Sequence, residues 1–222
     1  MVIPRKERSP NSFERISNRG SPRDLTLLVC PYECQDYFQD LINYLELDTK
    51  VQVELINSNK NLSLQVEETV EISRKAKPHR RLFAMLDSYN PSNQEMDQNE
   101  EIKQAKKIVK KHNHANKQIF RLLISNPGFP LWLLLHFKLE YFSDLPESQW
   151  PKRVEKELLE FIPNFKSAES SKEWFNLSYP YLETAIKNSQ KLQLIRSIKP
   201  TPNSDIHELM AYLVKLQRRY VR

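Results

Sequence analysis

Apolar positions along this chain recur in two rhythms, short continuous runs and helical spacings, and the two alternate through its first half. Leu25-Thr-Leu-Leu-Val-Cys30 is a continuous run between Pro22 and Pro31. Such a run suits a strand buried on both faces, as in a parallel sheet. Tyr37, Phe38, Leu41, Ile42 and Leu45 then recur at helical spacing. Val51–Ile56 alternates and predicts a second strand, followed by a polar turn at 57–61 and an amphipathic helix over 62–76 carrying Leu64, Val66, Val70 and Ile72. Arg81–Asp87 predicts a third strand that ends in a carboxylate. A Ser-, Asn- and Pro-rich loop over 88–99 and a polar helix over 100–112 follow. The fourth strand is predicted over 118–124 and stops at Ser125-Asn126-Pro127-Gly128.

Beyond residue 128 the strand rhythm disappears. Residues 129–142 form the most apolar stretch of the chain and predict a buried helix, and further helices are expected over 152–161, 179–192 and 205–217. Strand–helix alternation with these spacings predicts an α/β fold with a mostly parallel sheet flanked by helices. The expected organisation is a basic arm over 1–23, an α/β core over 24–128, and a helical part of the same domain over 129–222, packed on the sheet or capping it.

Composition removes several function classes. The chain has 2 glycines, Gly20 and Gly128, against 14 prolines. A backbone cradle for phosphate needs several glycines, because only Gly lets the main chain approach so closely, so a P-loop and a dinucleotide-binding turn are excluded. Cys30 and Cys34 have no second pair with which to build a zinc site or a disulfide framework. Cys30 reads as a small buried hydrophobe. Residues 1–23 are polar and basic, unlike a signal peptide, and Leu131–Phe137 is too short to span a bilayer. The expected location is the cytoplasm.

The net charge of +6 favours a polyanionic partner. Arg5, Lys6, Arg8, Arg15, Arg19 and Arg23 outweigh Glu7 and Glu14 in the arm, which reads either as a solubilising tail or as an arm that tracks phosphates. Lys103, Lys106, Lys107, Lys110, Lys111 and Lys117, with Arg121 entering the next strand, form a second cationic run. It is either a solvated helix face or a surface for a nucleic-acid backbone.

In open parallel sheets ligands bind at the carboxyl ends of the strands. The loops after Cys30, Asp87 and Ile124 are placed there, and an Mg²⁺-dependent phosphodiester enzyme would put carboxylates in them, because a hard cation takes oxygen ligands. Ser125-Asn-Pro-Gly-Phe-Pro-Leu-Trp-Leu-Leu-Leu-His-Phe137 is similar to the SNPxFExWLLLHF segment of the RloB family, Toprim-like proteins of bacterial restriction and anti-phage loci. Ser125, Asn126, Pro127, Phe129, Trp132 and His136 carry that likeness. Leu27–Cys30 with Tyr37-Phe38 resembles the family's opening strand and helix, and Leu82–Asp87 its Asp-ending strand. Asn164-Phe165-Lys166 resembles a later aromatic-lysine element, and residues 202–209 the closing P-S-T-x-V-H-x-L. The resemblance spans about 22–216 and implies a Toprim-like fold with Mg²⁺ as the metal of an active member. It also implies nucleic acid as partner, with Lys166 among the contacts, and by gene association an OLD-type ATPase.

The departures bear on activity. Where the family has Cys-Glu-Gly this chain has Cys30-Pro31-Tyr32, and where it has Asp-x-Asp this chain has Asp87-Ser88-Tyr89. Its Glu after the Phe of the SNP segment is Pro130 here. Proline and tyrosine do not replace carboxylates around a hard divalent cation. Asp87 remains as candidate catalytic and metal-binding residue; Glu33 and Asp36, or Glu95 and Asp97, are the acids that could join it, or else ordinary solvated loop acids. His136 is expected as a hydrogen-bonded core residue, His207 as either near the site or on a helix face, and His112 and His114 lack metal spacing. The expectation is a catalytically degenerate family member acting as a nucleic-acid-binding or scaffold subunit. The alternatives are an active Mg²⁺-dependent nuclease using Asp87 with Glu33 or Asp36, and an interaction subunit of an ATPase-containing defence complex.

Overall fold

The computed structural model describes residues 25–57, 60–87, 98–116, 118–139, 142, 144–165, 171–196 and 201–220. The basic arm, Tyr89, Glu95, Asp97, Lys117 and Lys166 lie outside them. The described strands are β1 (Thr26–Pro31), β2 (Val51–Ile56), β3 (Arg81–Asp87), β4 (Ile119–Asn126) and β5 (Asn203–Ser204). The described helices are α1 (Gln35–Tyr44), α2 (Leu62–Lys75), α3 (Gln98–Asn116), α4 (Phe129–Phe137), α5 (Trp150–Leu158), α6 (Ser171–Ser178), α7 (Leu182–Arg196) and α8 (Ile206–Tyr220).

The sheet runs β2-β1-β3-β4-β5, with β1 to β4 parallel and β5 antiparallel to β4. The α/β expectation is met. Because β1 lies between β2 and β3 and is covered on both faces, all six of its residues are buried, which explains its unbroken apolar run. Alternate residues of β3 feed two cores. Phe83 and Met85 join Leu28, Cys30 and Leu123 under α1, α4, α7 and α8. Leu82, Ala84 and Leu86 join Leu27, Val29 and Phe120 under α2 and α3. The period of two along a strand thus divides one segment between two layers of helices.

Helix α4 is the centre of the larger core. Leu131 to His136 are all buried, so the segment is apolar around its whole circumference. It is shorter than the apolar run that encodes it: Lys138 is extended, and its ammonium meets Glu157 on α5 at 2.6 Å. Burying a leucine or phenylalanine contributes on the order of 1.5–3 kcal/mol. This helix therefore carries much of what fastens the C-terminal helices to the sheet. Its neighbour α7 is also tied by a polar bond, Asn188 Nδ2 to the Leu135 carbonyl at 2.9 Å. Helix α6 was not foreseen in the sequence, while the expected helices over 152–161, 179–192 and 205–217 appear as α5, α7 and α8 with shifted ends. Asn61 caps α2 by accepting from the Leu64 N–H at 2.9 Å, and the first turns of α4 and α5 contain Pro130 and Pro151. Among the described residues no helix is long and apolar enough to cross a membrane.

Candidate functional site

Strand order makes β1 and β3 neighbours while the chain leaves them in opposite directions, β1 toward β2 and β3 toward β4. The crevice outside such a switch point is where open α/β sheets bind ligands. At the end of β1 stands Pro31, buried and level with Ile56 of β2. A single 3-10 turn, Tyr32–Cys34, then leads into α1, with Tyr32 and Glu33 exposed and Cys34 buried. Asp36 lies half-buried in the first turn of α1, one helical turn before Asp40. Partial burial, then the charge of Asp36, raises the Asp40 carboxyl above its ordinary value. The Cys30 thiol is pushed up to about 12 by burial, aided by the charge of Glu33, so it is a packed hydrophobe rather than a nucleophile.

The backbone of Asp87 ends β3 in register with Ser125 of β4. There the Ser125-Asn-Pro-Gly segment turns the chain from strand to helix. Asn126–Pro127 is a cis peptide, and Gly128 has φ 136° and ψ −175°, a conformation that disfavours any residue with a Cβ. Ser125 Oγ donates to the Gly128 carbonyl at 2.7 Å, and the same oxygen accepts from the Leu131 N–H at 3.1 Å. Pro130 lies in the first turn of α4 and brings no side-chain donor to this turn.

The rest of the motif is buried structure. Trp132 Nε1–H donates to the Tyr37 hydroxyl at 3.2 Å, and Tyr37 lies 3.5 Å from His136 Nε2. His136 Nδ1 lies 2.9 Å from the Trp132 carbonyl, which only accepts, so the proton sits on Nδ1 and Nε2 is the acceptor for Tyr37. Burial lowers the His136 pKa to about 4 and raises that of Tyr37 to about 12. Both are neutral core groups, as expected for His136, Tyr37 packing with Phe38, Phe129 and Phe175 and His136 with Trp132 and Phe137.

Strand β5 completes this end of the sheet, pairing Ser204 with Ser125 and Asn203 with Asn126. Asp205 clamps the edge: its N–H donates to the Ile124 carbonyl at 3.0 Å and its Oδ2 accepts from the Ile124 N–H at 3.2 Å. His207 is buried, its Nδ1 2.9 Å from Ser189 Oγ and 3.2 Å from the Ser204 carbonyl, so it joins α8 to α7 and β5. Thr201 Oγ1, Ser204 Oγ and both amide atoms of Asn203 are buried here without a hydrogen-bond partner. Sequence reading named this segment only as part of the motif; unpartnered burial is not visible in a linear pattern.

The basic candidates are divided by the sheet. Lys103, Lys106, Lys107, Lys110 and Lys111 are exposed on α3, whose Ala105 packs on one face. Arg121 alternates with Phe120 and Leu122 of that core and therefore projects from the other face, where it meets Glu208 of α8 at 3.3 Å. The expected continuous surface from α3 into Arg121 does not form. The groove between α2 and α3, of about 610 Å³, sets Glu67, Glu68 and Glu71 against Lys60, Arg74 and Lys111.

Among the described residues no three His, Cys, Asp or Glu side chains gather as metal ligands. The prolines at the ends of β1 and the start of α4 offer no side-chain donor, so the residues described here do not fit the hard cation that the resemblance implies. No curated protein and no solved structure matches the chain. A family profile described as RloB-like protein matches residues 32–213, from the turn after β1 to the middle of α8. With most of its length matched, the chain belongs to the RloB-like family.

Proposed function

We propose that this is a catalytically degenerate, Toprim-fold RloB-like protein of a bacterial anti-phage or restriction-linked system. It acts as a nucleic-acid-binding or scaffold subunit. The observation that supports this reading is the placement of Pro31 and Pro130. Pro31 is the last residue of β1, beside the β1/β3 switch point, and Pro130 lies in the first turn of α4 after β4, where the resemblance has acids. A divalent ion there needs several preorganised oxygen ligands to hold developing charge on a phosphate, and partial replacement by loop acids gives a poor catalyst.

The test is incubation of the pure protein with plasmid, single-stranded DNA and RNA over a range of Mg²⁺ and Mn²⁺, beside Asp87→Ala. A salt-dependent mobility shift without cleavage is expected. Cleavage that disappears in Asp87→Ala would replace this reading with the second one. That second reading, an active nuclease, is favoured by one observation: Glu33 is exposed two positions past Pro31, with Asp36 on the next turn. No shift with any nucleic acid would favour a protein partner, such as an ATPase subunit, recoverable by co-purification.

A further inference from the structure

The face of the sheet that carries Arg121 holds a hollow of about 380 Å³ between the strands and α8. Arg81, Arg121, Lys215 and Arg219 line it, with Glu208 the one acid among its lining residues. A second, smaller hollow shares Arg81, Tyr212, Leu216 and Arg219 with it and adds Arg80 and Tyr220. The two therefore adjoin. Lys50 extends the row, its ammonium 4.4 Å from the centre of the Tyr220 ring.

This track is built rather than accidental. Tyr212 lies in its floor, its hydroxyl 2.6 Å from Thr26 Oγ1 and its ring 5.0 Å from that of Phe83. The Arg81 guanidinium lies 4.9 Å from the same ring. Tyr212, fixed by Thr26 and Phe83, thus carries the Arg81 guanidinium over the floor of the groove. Lys215 and Arg219 are exposed one helical turn apart on α8, and neither has an acidic partner among the described residues. Apart from Glu208, which pairs with Arg121 at 3.3 Å, the charged lining is cationic, and a concave wall of mostly one sign focuses the field on whatever enters.

The α2–α3 groove lacks this property, because its three glutamates offset its three basic groups. The α3 lysines outside it lie on a convex helix. Of the two cationic surfaces, the α8 track is the one whose charge is concentrated along a hollow. Its row of cations along two adjoining hollows suits a chain of phosphates better than a single anion.

We propose that the α8 track binds single-stranded nucleic acid through the phosphate backbone, with Arg81, Arg121, Lys215 and Arg219 as the contacts. This rests on the nucleic-acid reading above and names its surface and its ligand class. It lies beside α8 and the first half of β3 and β4, away from the carboxyl ends where Pro31 and Asp87 stand.

The test measures fluorescence anisotropy of labelled oligo-dT and oligo-U of about 12 nucleotides, the scale of a single-strand site. Wild-type protein, Lys215→Glu/Arg219→Glu and Lys106→Glu/Lys110→Glu are compared, with circular dichroism to check folding. Lys215→Gln/Arg219→Gln serves as a milder second groove variant. Neutralising four phosphates of a single strand predicts an affinity loss of about 50-fold between roughly 50 and 200 mM salt. The groove variants are expected to lose roughly tenfold or more and to flatten this salt slope, while the α3 variant stays close to wild type. Loss in the α3 variant with the groove variants unchanged overturns the assignment and leaves the nucleic-acid reading intact. A duplex bound as tightly as the strands overturns the ligand class. No binding by wild type overturns both.

Discussion

The indole N–H of Trp132 reaches the hydroxyl of Tyr37 at 3.2 Å, joining α4 to α1 inside the aromatic core. The most recognisable segment of the chain therefore serves packing: its tryptophan and histidine both meet one buried tyrosine.

Tyr37→Phe removes that acceptor and leaves the Trp132 N–H buried without a partner. The expected cost is about 1–3 kcal/mol in urea unfolding, with an unchanged denaturant slope. In a double-mutant cycle with Trp132→Phe the costs are less than additive, because either change alone breaks the same bond. Strict additivity would show that the bond contributes nothing.

Gly128 has φ 136° in the turn between β4 and α4. A Cβ there is expected to cost about 1–3 kcal/mol in Gly128→Ala. Ser125→Ala removes only one of the two bonds to the Gly128 carbonyl and is expected to cost about 1 kcal/mol. A Gly128→Ala variant as stable as wild type would show that the turn relaxes to another conformation.

The parts legible in the sequence are those set by local pattern. Strands β1 to β4 read directly, because burial on both faces writes itself as an apolar run or an alternation. Strand β5 did not read, since two residues carry no periodicity and its pairing depends on Ser125 and Asn126 far upstream. Helix α6 hides in Ser171–Ser178, a short segment after a polar stretch. The division of the basic residues was equally hidden. Arg121 is close in sequence to the α3 lysines, yet one strand register sends it through the sheet to meet Lys215 and Arg219 of α8. Pro31 ends β1 and Pro130 lies in the first turn of α4, positions that follow from the apolar run before the one and the helical stretch around the other.

His136 links stability to pH. Its pKa falls from the ordinary 6.5 to about 4 through burial, so between those values the unfolded chain binds the proton that the folded one refuses. Stability is therefore full above pH 6.5 and declines as pH falls toward 4, by on the order of 3 kcal/mol in total. Urea midpoints measured across that range should slope for wild type and lose most of the slope in His136→Gln. An equal slope in both would assign the effect elsewhere.

Glu157 acts in a lower window. Its side chain is 5% exposed between Lys138 at 2.6 Å and Arg153 at 2.7 Å. The Lys138 hydrogen bond, opposed by burial, holds its carboxyl below the usual range. The stabilisation is present above that range and is lost as pH falls through the depressed value. Glu157→Gln keeps the shape and removes the charge, and is expected to cost about 1–3 kcal/mol at neutral pH, since both cations are partly hydrated. A variant unfolding at the wild-type urea concentration would mean that water replaces the carboxylate in both contacts.

Divalent cations are expected to leave thermal unfolding unchanged. A ligand that binds only the folded state adds about 2.7 kcal/mol at a hundred times its dissociation constant, which for a chain of this size raises Tm by roughly 5–10 °C. A working Mg²⁺ centre at the β1/β3 switch point would therefore be visible in scanning fluorimetry at about 10 mM metal if it bound at about 0.1 mM. Pro31 and Pro130 carry no side-chain oxygen, and Glu33, exposed on its turn, would have to leave water to serve as a ligand. That desolvation opposes binding at the step where a preformed cluster of acids would favour it. A rise with Mg²⁺ or Mn²⁺ that vanishes in Asp87→Asn would show that ligands converge on this carboxylate, and the degenerate reading would fall. A rise that persists in the variant would place the ion elsewhere and leave the reading of this crevice as it stands.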